Sequence, residues 1–371
     1  MELMAAAAFG LEGLVKQELQ DLGFMAKAEQ GGARFETDYE GAFTANLWLA
    51  CADRVLIIIG EQKVTSFEEL FNFVTSLPWE HYLPRDARFP VSGNCVRSQL
   101  MSVSDCQSIT KKAIVERLSR KYKVKWFEES GSTYPITIAI HKDLARVTLD
   151  TSGNALNKRG YRTWVGEAPI RETLAAAMVR LSPWQADQPF YDPCCGTGTL
   201  LIEAAYLAMN RAPGLTREFA MESWATVDSR VLQQIRKEAK ARCMKDAPIN
   251  IVGSDIDPEA IKLCEKHINQ AGLQGKITVR TKDFRDVCLQ DGNICFVTNP
   301  PYGERLGDQK KAALVAKSLG VLLDRHPGSS LSVITPDARF EAQVKRQAKT
   351  RRRLYNGRLE CEFLTFPTLN Q

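Results

Sequence analysis

Apolar residues recur along this chain at two spacings: every three to four positions over long stretches, and in alternating or unbroken runs over short ones. The two alternate from end to end, which predicts an α/β protein. Residues 4–8 make an apolar strand candidate, and residues 11–19 carry apolar side chains at helical spacing until Gly23. Residues 24–28 and 32–36 read as strands around Gly31-Gly32, residues 39–50 as a helix, and residues 54–59 as a buried strand. The order strand, helix, strand, strand, helix, strand is ferredoxin-like. From Ser66 the spacing predicts a helix over 67–76, a Pro-containing connection, a strand over 88–93 and a long helix over 105–122. On that helix Ile109, Ala113, Val115 and Leu118 are expected inward, with Lys111, Lys112, Arg117, Arg120 and Lys121 outward. Residues 136–140 and 145–150 predict a hairpin. The remainder alternates strands, at 249–255, 276–280 and 294–297, with helices at 173–180 and 200–209, the pattern of a parallel sheet.

Composition narrows the class of protein. With 371 residues, 44% hydrophobic and 25% charged, the chain has the makeup of an ordinary soluble protein of two or three domains. No apolar run approaches a membrane span, and the start Met1-Glu2-Leu3-Met4 lacks the basic residues of a secretory signal. A cytoplasmic protein is expected. The ten cysteines contain no Cys-x-x-Cys pair and only four histidines accompany them, so reduced thiols and no metal site are expected. A net charge of +5 permits an RNA partner without demanding one. The basic residues of the long helix continue through Lys123 and Lys125, interleaved with Tyr122 and Trp126; they suit either phosphate contact or a solvated helix face.

Three motifs carry candidate chemistry. Asp192-Pro193-Cys194-Cys195-Gly196-Thr197-Gly198-Thr199 lies between a strand and a helix, where glycines let backbone approach a ligand. It has neither the Gly-x-Gly-x-x-Gly dinucleotide fingerprint nor a Walker lysine. Asp255 ends a strand, where a carboxylate accepts both hydroxyls of a ribose, and Asp283-Phe284 follows the next strand, placed to accept an adenine amine beside an aromatic ring. Asp257 before Pro258 reads as a helix N-cap, and each of the other acids also fits a cap. The third motif is Asn299-Pro300-Pro301-Tyr302, after the apolar run 294–297. Proline lacks an N–H, which frees carbonyls to accept hydrogen bonds from outside the backbone. The Asn299 side-chain oxygen and the Pro300 carbonyl suit the two N–H groups of an exocyclic amine, and Tyr302 suits stacking on the ring. Such a base must be unpaired or flipped out. A strand closed by a proline turn would show the same four residues.

The segments around Phe89-Pro90-Val91-Ser92-Gly93-Asn94, Ser98 to the Lys111-Lys112 helix, and Leu149-Asp150-Thr151-Ser152-Gly153 resemble a THUMP domain, a module that binds structured RNA. The three motifs, with Arg211-Ala212-Pro213-Gly214 and Leu354-Tyr355-Asn356-Gly357-Arg358, resemble the class I S-adenosylmethionine-dependent methyltransferases. The combination is similar to the N-terminal half of the large-subunit (23S) rRNA guanine-N2 methyltransferase RlmL. The resemblance implies a ferredoxin-like domain at 1–65, a THUMP domain at 66–160 and, at 161–371, a Rossmann-like methyltransferase sheet of seven strands whose last hairpin is antiparallel. It implies S-adenosylmethionine as cofactor, bracketed by Gly196 and Gly198, with Asp255 at its ribose, Asp283 at its adenine, and Pro169, Asp192, Cys194, Thr199, Ile256, Phe284 and Asn299 around it. Asn299, Pro300, Pro301 and Tyr302 take the target base, and Lys111, Lys112, Arg120, Lys121, Lys158 and Arg159 contact RNA. A monomer acting on guanine N2 of 23S rRNA is expected. An adenine-N6 methylase and a non-catalytic RNA-binding assembly factor are the alternatives, and a protein glutamine methylase shares the Asn-Pro-Pro-Tyr quartet. Residues 206–248 exceed a simple crossover and read as an insertion that touches RNA or packs. The basic segment 345–353 suits RNA contact or a solvated helix end.

Overall fold

The computed structural model describes residues 1–162, 170–289, 292–302 and 308–367. They form two compact units, the first made of Met1–Ala7, Val15–Leu156 and Arg217–Glu238, the second of Ala8–Leu14, Asn157–Thr216 and Ala239–Gln371.

The first unit is built on one seven-stranded sheet. Its strands are β1 (Glu2–Ala6), β2 (Ala26–Glu29), β3 (Gly32–Glu36), β4 (Arg54–Lys63), β5 (Val91–Val96), β6 (Ile136–His141) and β7 (Leu144–Asp150), in the order β2-β3-β1-β4-β7-β6-β5. The first four reproduce the ferredoxin-like arrangement, all pairs antiparallel. β4 is longer than its apolar run because it serves two neighbours, pairing with β1 through Arg54–Ile57 and with β7 from Leu56 to Lys63. Alternation works as expected in β6, where Ile136, Ile138 and Ile140 are buried and the residues between them are not. The long helix spans Val103–Tyr122, capped by the Ser102 side chain and ended by Lys123 in the left-handed conformation. Its buried stripe is Cys106, Thr110, Ala113, Ile114 and Leu118, so Ile109 and Val115 are only half-buried. Arg117, expected outward, forks onto Glu80 with Nε and Nη2 at 3.1 and 2.7 Å.

Residues Arg217–Glu238 belong to this first unit although they lie between motifs of the second. The Trp224 ring stacks on Tyr134 at 5.0 Å, its indole N–H donates to the Thr133 carbonyl at 2.9 Å, and Phe219 meets Phe43 edge-on at 5.7 Å. This part of the insertion is a packing element.

The second unit holds β8 (Phe190–Asp192), β9 (Ile251–Asp255), β10 (Ile277–Thr281), β11 (Cys295–Thr298), β12 (Ser330–Thr335), β13 (Thr350–Asn356) and β14 (Leu359–Phe366), in the order β10-β9-β8-β11-β12-β14-β13. β10, β9, β8, β11 and β12 run parallel, and β14 lies antiparallel between β12 and β13. β8, β11 and β12 are buried at every position, as strands covered on both faces must be. The chain winds outward from β8 to β10 and returns to β11 on β8's other side, which makes the β8/β11 edge a topological switch point. Ligands bind at such points, outside the carboxyl ends of the strands.

Candidate active site

The carboxyl ends of β10, β9, β8 and β11 open on one cleft of about 670 Å³. β8 stops at Asp192, and the chain turns through residues 193–198 before the helix Thr199–Ala208. Gly196 and Gly198 both have positive φ, +48° and +84°, but they serve different ends. A Cβ on Gly196 would meet nothing within 4 Å, and this residue lines the cleft. A Cβ on Gly198 would stand 2.3 Å from the Cys264 sulfur, so Gly198 makes room for the helix Pro258–Gln270 and lies outside the cleft lining.

Asp255 ties this loop to the neighbouring strand. One of its oxygens accepts the Gly196 N–H at 2.9 Å and the other the Asp257 N–H at 3.0 Å, while the side chain borders the cleft. Asp257 accepts the Glu259 N–H at 2.9 Å and caps the following helix, as its place before Pro258 predicts. Between the two acids Ile256 is 72% exposed, an apolar side chain offered to the cleft. Asp283 accepts the Arg285 N–H at 2.9 Å and is gripped by that residue's guanidinium, which holds its carboxyl below the usual carboxylate range. Asp192 is buried and accepts the Cys194 N–H at 3.1 Å. Burial, reinforced by the charge of Asp255, pushes its carboxyl up to about 7.

At the fourth strand end, Asn299 follows β11 and lines the cleft with Pro301, while Pro300 is buried. The Asn299 carboxamide oxygen accepts the Tyr302 phenol O–H, and the phenol oxygen receives the Asn356 side-chain N–H at 3.3 Å. Cys194, Thr199 and Phe284 also line the cleft, and Pro169 lies outside the described residues.

The cleft thus gathers carboxylates, an exposed apolar side chain and the Asn299-Pro300-Pro301 loop at one switch point. A family model of the RMKL-like methyltransferase domain matches residues 159–365. The chain belongs to the RMKL-like methyltransferases. Models of the RlmL ferredoxin-like domain and of the THUMP domain match residues 2–56 and 64–150 of the same chain. Among its relatives is YpsC of Bacillus subtilis, provisionally named an RNA methyltransferase, 39% identical over 98% of this chain and 95% of YpsC. The crystal structure of a predicted N6-adenine-specific DNA methylase from Listeria monocytogenes is 43% identical with a TM-score of 0.94, covering 99% of this chain and 96% of that one. SMU.472, provisionally a methyltransferase and solved in complex with SAH, is 39% identical with a TM-score of 0.95, covering 100% of this chain and 98% of its own.

In this RMKL-like methyltransferase the basic candidates divide. Lys112, Arg120, Lys121 and Lys158 are exposed, Arg120 while pairing with Glu116 at 2.8 Å. Two others are held by partners within the protein. Lys111 sits 3.5 Å above the Phe89 ring, donates to the Phe89 carbonyl at 3.0 Å and pairs with Glu129 at 2.5 Å. Arg159 is 2% exposed and lies 3.6 Å from the buried Glu203. Arg159 is turned inward, while Lys111 is held half-buried by its partners.

Several residues around the cleft escaped sequence reasoning. Arg285, Lys311, Leu314 and Val315 line it. Behind the glycine loop, His267 donates from Nδ1 to the Thr197 carbonyl at 3.1 Å, and a Cβ on Gly253 would meet Leu201 at 2.5 Å and Cys195 at 2.9 Å. A strand glycine under a ligand loop is a signal that sequence alone offers, since it marks close backbone approach. Among the described residues, no group of three or more His, Cys, Asp or Glu is placed to hold a metal, and no helix is long and apolar enough to cross a membrane.

Proposed function

We propose that this protein methylates the exocyclic amine of a base in structured RNA, guanine N2 of 23S rRNA, in the cytoplasm. The observation that carries the reading is Asn299, which lines the cleft at the end of β11, in a chain that also matches a THUMP domain. S-adenosylmethionine is the methyl donor, and when bound it supplies an electrophilic methyl group. The cleft suits it: Gly196 leaves open space, Asp255 offers carboxylate oxygens to ribose hydroxyls, and Ile256 offers an apolar face to a flat ring. Asp283 accepts the adenine amine, with Arg285 holding the carboxylate in place. Asn299 Oδ1 and the Pro300 carbonyl accept the N–H groups of the target amine and so aim its lone pair. Transfer would form the nitrogen–methyl bond as the methyl–sulfur bond breaks, leaving S-adenosylhomocysteine and a proton released to water, so alignment contributes more than a strong base. Within this reading residues 1–65 and 66–160 deliver RNA through exposed Lys112, Arg120, Lys121 and Lys158 to a catalytic domain at 161–371.

A second reading, adenine-N6 methylation, draws on the likeness to the Listeria methylase. Mass-spectrometric mapping of modified nucleosides in rRNA from a strain lacking the protein separates the two. Loss of one N2-methylguanosine from 23S rRNA is expected. Loss of an N6-methyladenosine, or of no methylated nucleoside, would overturn the guanine assignment.

A further inference from the structure

We propose that Asn356 is a positioning residue for methyl transfer: through the Tyr302 hydroxyl it fixes the orientation of the Asn299 carboxamide. The inference rests on the reading of Asn299 as acceptor of the target amine. Asn356 is the last residue of β13, where Gly357 at φ +65° turns the chain into β14. It pairs with Leu359 across the Gly357-Arg358 loop, and its side chain reaches back across 54 residues to the phenol.

The direction of the hydrogen bonds carries the argument. Asn356 gives an N–H to the phenol oxygen at 3.3 Å, and an amide nitrogen can only donate. The single phenol proton is therefore free for an acceptor, and it goes to Asn299 Oδ1. The Cys361 thiol also touches the phenol, but sulfur is the weaker acceptor. Asparagine has a broad terminal torsion, so an unpartnered carboxamide rotates between oxygen and nitrogen toward a ligand. With the phenol proton on one lone pair of Oδ1, the carboxamide is held oxygen-first and its second lone pair remains for the target N–H. A flipped carboxamide would leave the phenol proton without that acceptor. The hairpin thus sets which end of Asn299 the amine meets, and Tyr302 works through its hydroxyl as well as its ring.

The test is single-turnover methylation of 23S rRNA taken from a strain lacking the protein, with SAH affinity and thermal unfolding measured on each variant. Tyr302→Phe keeps the ring and removes the proton, and its rate should fall about tenfold, the effect of one neutral hydrogen bond made in the transition state. Asn356→Asp keeps the turn, because the two-residue loop is Gly357-Arg358 and Asn356 is the paired strand residue before it. Its carboxylate accepts the phenol proton and takes it from Asn299, so Asn356→Asp should be slower than Asn356→Ala, with SAH affinity and unfolding close to wild type. Wild-type rates in Tyr302→Phe and Asn356→Asp, alongside an inactive Asn299→Ala, would overturn the relay and leave the amine reading standing. Equal loss of rate and of thermal stability in both Asn356 variants, with Tyr302→Phe at the wild-type rate, would reduce Asn356 to a turn residue. A folded Asn299→Ala protein at the wild-type rate would overturn the relay and the reading beneath it.

Discussion

Gly198→Ala would place a methyl 2.3 Å from the Cys264 sulfur at a residue whose φ is +84°. Two costs add. The left-handed backbone costs a residue with a Cβ about 1–2 kcal/mol, and overfilling a packed site costs about 1–3 kcal/mol. The packing share belongs to the sulfur alone, because the next atoms, Cys264 Cβ and Cα, stand at 3.5 and 3.8 Å, ordinary contact distances. Gly198→Ala should therefore lose about 2–5 kcal/mol in total, and adding Cys264→Ala should return the packing share while leaving the backbone share. The assay is chemical denaturation of wild type, both single variants and the double variant, read as a double-mutant cycle. SAH titration of the same four proteins checks the cleft, and affinity in the double variant should stay within about threefold of Cys264→Ala, under 1 kcal/mol. Additive stabilities would refute the idea that Gly198 makes room for Cys264. A stable double variant that no longer binds SAH would return Gly198 to the cofactor.

Asp255→Ala should raise the dissociation constant for SAH about tenfold to a hundredfold, the loss of a charged hydrogen-bonding partner, and leave RNA binding nearly intact; unchanged affinity by calorimetry would remove Asp255 from the cofactor site. The Asp192 carboxyl, raised to about 7 by burial, stabilises the fold while protonated, a contribution complete below the ordinary carboxylate value and lost as pH rises through 7. Asp192→Asn should therefore unfold at a higher temperature than wild type at alkaline pH and lose that advantage at acid pH. Parallel unfolding curves across the pH range would contradict the buried neutral acid.

What could be read from the sequence is what local pattern controls. Asp192, Asp255 and Asn299 each end a run of branched or aromatic residues, so their convergence follows from strand direction in a parallel sheet. Asp257 and Pro258 announce a helix start, and Asn356-Gly357 a hairpin, from residues within one turn. Side-chain partners across long separations left no such trace. Arg159 meets Glu203 inside the protein and half-buried Lys111 meets Glu129, so two cations assigned to RNA have protein partners. Gly198 resembled a ligand glycine because its neighbour in space, Cys264, comes from another helix. Tyr302 was legible as an aromatic ring, but its hydroxyl acquires a purpose only when Asn356 arrives beside it. Residues 217–238 read from sequence as part of an insertion that touches RNA or packs, and the packing partner of Trp224 is Tyr134 of the first unit.

The central claim is that Asn299 accepts the target amine during methyl transfer to RNA, and single-turnover methylation of unmodified 23S rRNA by folded Asn299→Ala protein tests it most directly. A fall in rate of about a hundredfold or more is expected for an interaction of about 3 kcal/mol made mainly in the transition state, with SAH affinity, RNA affinity and thermal unfolding close to wild type. A wild-type rate from that folded variant would contradict the account.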